Sequence, residues 1–137
     1  MKAIKYSACC VIILLSGYLA YQAALIAIAD ISHYPVKSAI AKATSTELPS
    51  IESLNSLEEK IQLSIKLRPN NGEYREYLGR INYLKAHHNR HAPELFHANI
   101  TQAYNNHRKA SQLRPHWPYS WANMALMKSH LNQFDVG

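Results

Sequence analysis

The stretch LRPHWPYSWANMA, residues 113–125, repeats the pattern of LRPNNGEYREYLG, residues 67–79, which lies 46 residues earlier. In both copies a proline ends a run with helical periodicity and is followed by a short turn and a second helical run. Aligned without gaps, both copies place a large apolar residue beside a small one at the same point, Leu-Gly in the first and Met-Ala in the second. Helices need such pairs where they approach closely, so the sequence predicts a helical repeat.

Extending this pattern in both directions predicts four helices and an all-α fold class of antiparallel helical hairpins. The first helix is expected to begin at a capping box formed by Ser56 and Glu59 and to end before Pro69. A proline in the first turn of a helix loses no needed hydrogen bond, which favours prolines as helix starts. The other three helices are predicted to begin near Gly72, Pro93 and Pro118.

The apolar stripe of each helix gives the predicted core, because residues three and four positions apart lie on one face of a helix. The predicted inward residues are Leu57, Ile61, Ile65 and Leu67; Tyr74, Tyr77, Leu78, Ile81 and Leu84; Phe96, Ile100, Ala103, His107 and Ala110; and Trp121, Met124, Ala125 and Leu131. Trp121 is therefore predicted to be a core residue. Trp117, in the turn before it, either packs over the helix junction or is exposed to a partner.

These residues resemble the tetratricopeptide (TPR) family, whose consensus couples a leucine before a proline to a following helix with a Trp/Leu/Gly pattern. The matching residues are Leu67, Pro69, Leu78 and Gly79 in the first copy and Leu113, Pro115, Trp121, Met124 and Ala125 in the second, with NQFD, 132–135, as the terminal turn. The sequence departs from the family at Arg75, Asn82, His107 and Lys128. The family repeat is about 34 residues long, so roughly 12 residues around HHNRHAPELFHA are expected to be an insertion.

The layout of the whole chain is similar to that of VpsP-type bacterial polysaccharide biosynthesis proteins. The resemblance depends on a basic N-terminal anchor, a short spacer and the LRPxWPYxWAN and LxQFD arrangement. It implies an envelope-associated accessory role in exopolysaccharide or capsule production. It implies no catalytic residues.

An uncharged, apolar run extends from Tyr6 to Ala29 before the first predicted helix of the repeat. A membrane-spanning helix needs about 20 such residues. The run is longer than the apolar region of about 7–15 residues in a cleaved signal peptide, although Ala27-Ile28-Ala29 would serve as a cleavage site. We therefore expect an uncleaved anchor that contacts the membrane through residues 7–29.

The domain organisation and the topology follow from this anchor. We predict a transmembrane anchor or uncleaved signal at 1–30, a spacer at 31–56 whose start could continue the membrane helix, and a degenerate TPR-like helical domain at 57–135 with an insertion near 86–98. Lys2 and Lys5 precede the run and favour a cytoplasmic N-terminus, although Lys37 and Lys42 on the other side weaken the bias. The expected location is the bacterial inner membrane, in a single pass, with the C-terminal domain in the periplasm.

The sequence contains no signature of an enzyme, and we expect neither catalysis nor a cofactor. It contains no GxSxG, HExxH, phosphate-binding or dinucleotide-binding motif, and both cysteines, Cys9 and Cys10, lie inside the apolar run. His87 and His91 would be one helical turn apart if the second helix continued, a spacing that can bind a metal. The alternative, which we expect, is a solvated insertion that binds no metal and gains charge near pH 6–7.

Basic residues dominate the second half of the chain. From Lys60 onward there are 11 Lys and Arg residues against 4 Asp and Glu residues. Such a balance favours polyanions, although it is also compatible with an ordinary solvated surface. The residues expected to form an anion-attracting surface are Arg90, Arg108, Lys109 and Arg114. An anchor outside the cytoplasm argues against nucleic acid as the partner.

Two functions are compatible with the sequence. The first is a membrane-anchored TPR-like scaffold that binds proteins of an envelope polysaccharide assembly, with partner-binding residues Tyr74, Tyr77, Arg80, Trp117, Tyr119 and Asn123 on the concave side of its first helices. The alternative is direct binding of an acidic glycan or lipid headgroup by the basic, His-rich surface. FDVG ends the sequence where the second helix of a repeat would begin, so we expect either that the sequence is truncated or that a partner or self-association covers one face of the fourth helix.

Overall fold

Five helices account for most of the chain in a computed structural model that describes residues 2–43 and 47–134. Within those residues there is no strand, which confirms the all-α fold class. The helices are α1 Lys2–Lys42, α2 Ile51–Leu67, α3 Gly72–His88, α4 Pro93–Leu113 and α5 Pro118–Phe134. Of the predicted terminal turn, Asn132 belongs to α5 and Asp135 lies outside the described residues.

Along its 41 residues α1 passes through two different environments. From Tyr6 to Ile28 nearly all of the described side chains are exposed, and the helix is long and apolar enough to cross a membrane. Beyond this run, one face of the same helix is buried against the other helices. The buried residues of that face, spaced three or four positions apart, are Ala29, His33, Val36 and Ile40.

The segment assigned from the sequence to a spacer, 31–56, is mostly helical. The last turns of α1 occupy its beginning and the first turn of α2 occupies its end. The predicted capping box at Ser56 is wrong, because the N-cap of α2 is Ser50, whose Oγ accepts a hydrogen bond from the backbone N–H of Ser53 at 3.2 Å. Burial of Leu54 against the core explains the earlier start, since it extends the apolar stripe by one turn.

Successive helices pack against one another from α1 to α5, and the end of α1 also contacts α3. One cluster of buried apolar residues joins α1, α2 and α3, and a second joins α3, α4 and α5. Tyr74 near the start of α3 donates a hydrogen bond to Asp30, whereas Leu84 near its end lies in the same cleft as Ile40. The end of α1 and α3 therefore run in the same direction.

The helices α3 and α5 also run in the same direction. Ser120, in the first turn of α5, donates a hydrogen bond to Glu76 near the start of α3 at 3.1 Å. Near their other ends, the rings of Tyr83 and His130 lie 6.0 Å apart. The end of α1, α3 and α5 thus line one side of the bundle, while α2 and α4 run in the opposite direction.

The prediction that Trp121 is a core residue is wrong. Its side chain is 46% exposed, and the predicted inward residue Ala125 is exposed as well. The buried face of α5 is instead centred on Ser120 and Met127. A small residue is needed where α5 meets the Glu76 carboxylate of α3, and this contact turns Trp121, one position further along the helix, towards solvent.

Candidate functional site

A cleft of about 600 Å³ lies between the end of α1, α3 and α5. Its apolar lining residues include Ile40, Leu84, Leu126 and Met127, of which Leu126 is exposed. Its polar and cationic groups come mainly from α3 and from the turn that follows it. The residues that give the cleft its polar character are Arg80, Tyr83, His87, Arg90, His107 and Asn123.

The imidazole of His107 is the most deeply buried polar group of the cleft. It is 1% exposed, and its Nδ1 has no hydrogen-bond partner among the described residues. Burial, with a smaller contribution from the nearby Arg80 guanidinium, lowers the pKa of His107 to about 4. The ring is therefore neutral near pH 7 and leaves one buried nitrogen without a partner.

Gly79 of α3 makes room for this imidazole. A Cβ atom at position 79 would lie 2.8 Å from Cε1 and Nε2 of His107, closer than real side chains approach. The Leu-Gly pair of the first copy was expected to mark a close approach of helices, and the structure shows that the neighbour is the His107 ring. The glycine and the buried histidine are therefore coupled across the α3–α4 contact.

A cluster of rings lies where the cleft meets the end of α3. The rings of Tyr83 and His87 meet edge to face at 4.7 Å between centroids, and His130 approaches Tyr83 from α5. Burial lowers the pKa of His87, and the positive charges of His130, Arg90 and His88 lower it further. Burial also raises the pKa of Tyr83. His87 and Tyr83 are therefore largely neutral near pH 7, whereas Arg90 is charged.

No carboxylate is among the described residues that line the cleft. Three carboxylates of α2 and α3 are paired elsewhere: Glu58 with Lys85, Glu73 with Lys37, and Glu76 with both Arg114 and Ser120. Arg80 lies over the ring of Tyr77 at 5.7 Å. The cleft therefore combines apolar walls with positive charge, which suits a ligand that has an apolar part and an acidic part.

The six predicted partner-binding residues fall in three places. Tyr74 is 1% exposed under α1 and donates a 2.6 Å hydrogen bond to Asp30, and Tyr77 packs edge to face against His33 of α1. Arg80 and Asn123 line the cleft. The other two, Trp117 and Tyr119, stack at 5.3 Å at the opposite end of the bundle.

The four residues expected to attract anions are spread over the molecule. Arg90 lies at the cleft, whereas Arg108 and Lys109 are exposed on α4. Arg114 lies in the turn before α5, with its guanidinium 3.6 Å from Glu76 and 4.4 Å from the Trp117 ring centroid. Positive charge is thus present at the cleft and at the end of the bundle, not on one continuous patch.

His87 and His91 are not on one helical turn, because α3 ends at His88 and a turn follows. Among the described residues no three His, Cys, Asp or Glu side chains are grouped so that they could hold a metal ion.

Sequence reasoning missed the wall of the cleft that comes from α1. Ile40, Ala43 and Leu48 line it, but all three lie in the segment assigned to a spacer. A signal was present, since Ala29, Val36 and Ile40 continue a helical spacing beyond the apolar run. The prolines and the Ser/Thr-rich composition of that segment outweighed it.

No family model, curated protein or solved structure matches this chain. The resemblances to TPR and VpsP-type proteins therefore stay expectations from the sequence. Inferences about function depend on the cleft, on the apolar half of α1 and on the end of the bundle beside it.

Proposed function

We propose that this chain is a membrane-anchored, TPR-like scaffold that holds a partner protein in the cleft between α1, α3 and α5. Its place is the bacterial inner membrane, with the helical domain in the periplasm, and its role is accessory to exopolysaccharide or capsule assembly. One observation carries the proposal: the apolar helix α1 continues, without interruption, into a wall of the cleft. The anchor and the binding surface are thus one element.

The order of the helices supports a TPR-like array. In such arrays alternate helices line the concave side, where partners bind. Here the cleft is bounded by the end of α1, by α3 and by α5, which are alternate helices with a common direction. The insertion expected near 86–98 corresponds to the end of α3, the turn after it and the start of α4.

The lining of the cleft defines the partner chemically. Leu126 offers apolar surface, while Arg80 and Arg90 supply positive charge, and no acidic residue is among the described lining residues. A protein segment that carries apolar side chains beside an acidic one fits this surface. The association with polysaccharide assembly comes from the layout shared with VpsP-type proteins.

Co-purification from detergent extracts after crosslinking in cells tests the scaffold. Asn123→Trp fills the cleft from α5, and Ser129→Trp places the same side chain at an exposed position on the same helix. We expect envelope proteins of the assembly to be retained by the wild-type chain and by Ser129→Trp but lost from Asn123→Trp. Equal recovery with both variants would contradict binding in the cleft.

Topology is tested separately with a membrane-impermeant maleimide. Cys9 and Cys10 are replaced by serine, and Ser129→Cys supplies one thiol on the domain. Labelling in cells whose outer membrane alone is permeable is expected if the domain is periplasmic. Labelling only after lysis would place the domain in the cytoplasm.

A second function, direct binding of an acidic glycan, is favoured by the cationic lining of the same cleft. Calorimetry with uronic-acid oligosaccharides would then give heats that fall as salt rises. Arg80→Gln is expected to weaken that binding, with Lys109→Gln on the outer surface of α4 as the control. Glycan binding without co-purified proteins would favour this function over the scaffold.

A further inference from the structure

The two LRP turns lie side by side at one end of the bundle. The aliphatic part of Arg114 packs on Gly72 so closely that a Cβ at position 72 would lie 2.7 Å from its Cγ. Its guanidinium reaches Glu76 in the next turn of α3. We refer to residues 67–72 and 113–121 together as the proximal face.

This face adjoins the apolar half of α1. Gln22 lines a shallow cavity of about 460 Å³ together with residues 67–72 and Arg114. Just above it, the hydroxyl of Ser64 donates a 2.9 Å hydrogen bond to the backbone carbonyl of Ala29. The last two turns of the apolar run, residues 22–29, therefore run beside the proximal face.

The length of α1 places this contact at the edge of the hydrocarbon layer. The 20 residues from Tyr6 to Leu25, which include no charged side chain, span about 30 Å of helix, which equals the thickness of the hydrocarbon core. Residues 26–29 span about 6 Å, which matches a headgroup layer of about 5–7 Å on each side, so residues 22–29 cross the boundary between the hydrocarbon core and the headgroups. The proximal face, which lies beside them, is at the same depth.

The exposed side chains of the face suit that layer. Trp117 is 38% exposed and Tyr119 is 62% exposed, and Trp121 is also exposed. Tyr18 and Tyr21 of α1 are exposed at a similar level of the helix. Tryptophan and tyrosine collect at membrane interfaces because an apolar ring and a polar atom are joined in one side chain.

The charge of the face matches lipid phosphate. Arg68 and Arg114 line the cavity beside Gln22, and because Arg114 is paired with Glu76, the net positive charge comes from Arg68. Arginine forms paired hydrogen bonds with phosphate oxygens. The neighbouring carboxylates, Glu73 and Glu76, are each paired with a cation. Positive charge and aromatic rings therefore adjoin the membrane helix at one depth.

We propose that the proximal face rests on the headgroup layer of the membrane that α1 spans, with Trp117 and Tyr119 among the headgroups and Arg68 against lipid phosphate. The proposal depends on the anchoring of α1 in the proposed function. It assigns a binding role to the two turns and leaves the cleft, at the side of the bundle, free for its partner.

The tryptophans make the proposal directly measurable, because Trp117 and Trp121 are the only two in the chain and both lie on this face. The full chain is reconstituted into phosphatidylcholine vesicles with a minor fraction of phosphatidylglycerol. Part of the phosphatidylcholine carries bromine near the headgroup, which quenches tryptophan fluorescence on contact. We expect emission to fall by roughly half and aqueous acrylamide to quench weakly.

Three variants test which residues of the proximal face contact the lipid. In Trp121→Phe the remaining Trp117 is expected to retain the quenching by brominated lipid. Arg68→Gln is expected to reduce quenching in vesicles with phosphatidylglycerol, and Lys109→Gln, on the outer surface of α4, is expected to leave it unchanged.

Failure of this proposal and failure of the anchor give different results. If the chain stays with floated vesicles after carbonate treatment but its tryptophans are quenched by acrylamide and not by brominated lipid, the proximal face does not touch the membrane. If carbonate releases the chain, the anchor fails, and this proposal fails with it.

Discussion

The two copies of the repeat bury the same positions with different side chains. Shifted by 46 residues, five buried positions of α2 fall on five buried positions of α4. The pairs are Leu54 and Ile100, Leu57 and Ala103, Ile61 and His107, Ser64 and Ala110, and Ile65 and Ser111. The first copy is filled with branched apolar residues, whereas the second holds smaller residues and an imidazole.

The surroundings explain the difference. The first copy is covered by the end of α1, so that Ile61 belongs to a closed apolar core. The second copy opens onto the cleft, and the equivalent His107 lines it with one nitrogen unpaired. The first copy thus supplies stability, and the second gives up some core volume for a polar group beside the cleft.

The largest expected effect on stability is at Ile61, the apolar member of the pair formed by Ile61 and His107. Ile61→Ala removes a fully buried side chain from the first copy and is expected to lower the free energy of unfolding by about 2–5 kcal/mol. Urea denaturation followed by circular dichroism in detergent measures it. The matched control is Leu63→Ala, at an exposed position of the same helix, which is expected to cost far less. Equal losses would contradict the assignment of a closed core to the first copy.

Acid is expected to destabilise the second copy through His107. The pKa of His107 is about 4 in the folded chain, below the ordinary value of 6.5, so the unfolded chain binds more protons between these values. Stability is fully present above about pH 6.5 and is lost as the pH falls towards 4, by about 3 kcal/mol in all. Urea denaturation as a function of pH measures this, and His107→Leu is expected to flatten that part of the curve. An unchanged slope in the variant would contradict the burial of a neutral imidazole.

The two copies also differ at position 79, because Gly79 of the first copy corresponds to Ala125 of the second. Gly79→Ala is expected to cost about 1–3 kcal/mol, since its Cβ meets the His107 ring. Thermal unfolding of a double-mutant cycle with His107→Ala measures the coupling. In the His107→Ala background the glycine substitution is expected to cost little, and an undiminished cost there would show that the ring is not the obstacle.

The smallest expected effect concerns Trp121, whose equivalent in the first copy is Arg75. The indole Nε1 of Trp121 donates a 3.0 Å hydrogen bond to the carbonyl of Pro115 and so ties α5 to its own turn. Trp121→Phe is expected to cost about 1 kcal/mol in denaturant experiments, the usual value of one such bond. Trp117→Phe serves as the control, since that ring makes stacking contacts that phenylalanine can replace. A larger cost than that of Gly79→Ala would mean that Trp121 is a core residue after all.

The helices of the repeat could be predicted from the sequence because their boundaries depend on local chemistry. Pro93 and Pro118 fix the starts of α4 and α5, and Pro69 fixes the end of α2. Each proline acts on the backbone next to it. The helical spacing also placed His107 on the inward face of its helix, at a position where the sequence departs from the TPR family. These features require no knowledge of the neighbouring helices.

The remaining features depend on contacts between distant residues. The N-cap of α2 is Ser50 because Leu54 is buried in the core that α1 completes. Trp121 is exposed because Ser120 contacts Glu76. The cleft combines three helices that are far apart in the chain. Periodicity identifies the apolar face of a helix but not the neighbour that covers it, so none of these could be read from the sequence.

The uninterrupted course of α1 has a mechanical consequence. A flexible tether would let a domain swivel above a bilayer, but residues 22–42 are a continuous helix, and its part from Ala29 onward is packed into the bundle. If α1 spans a membrane as proposed, the thickness of the bilayer influences its tilt. Along a helix of about 60 Å, a change in tilt of roughly 10° moves the far end by about 10 Å. The bundle would turn with α1, so the thickness of the membrane would influence the direction in which the cleft faces.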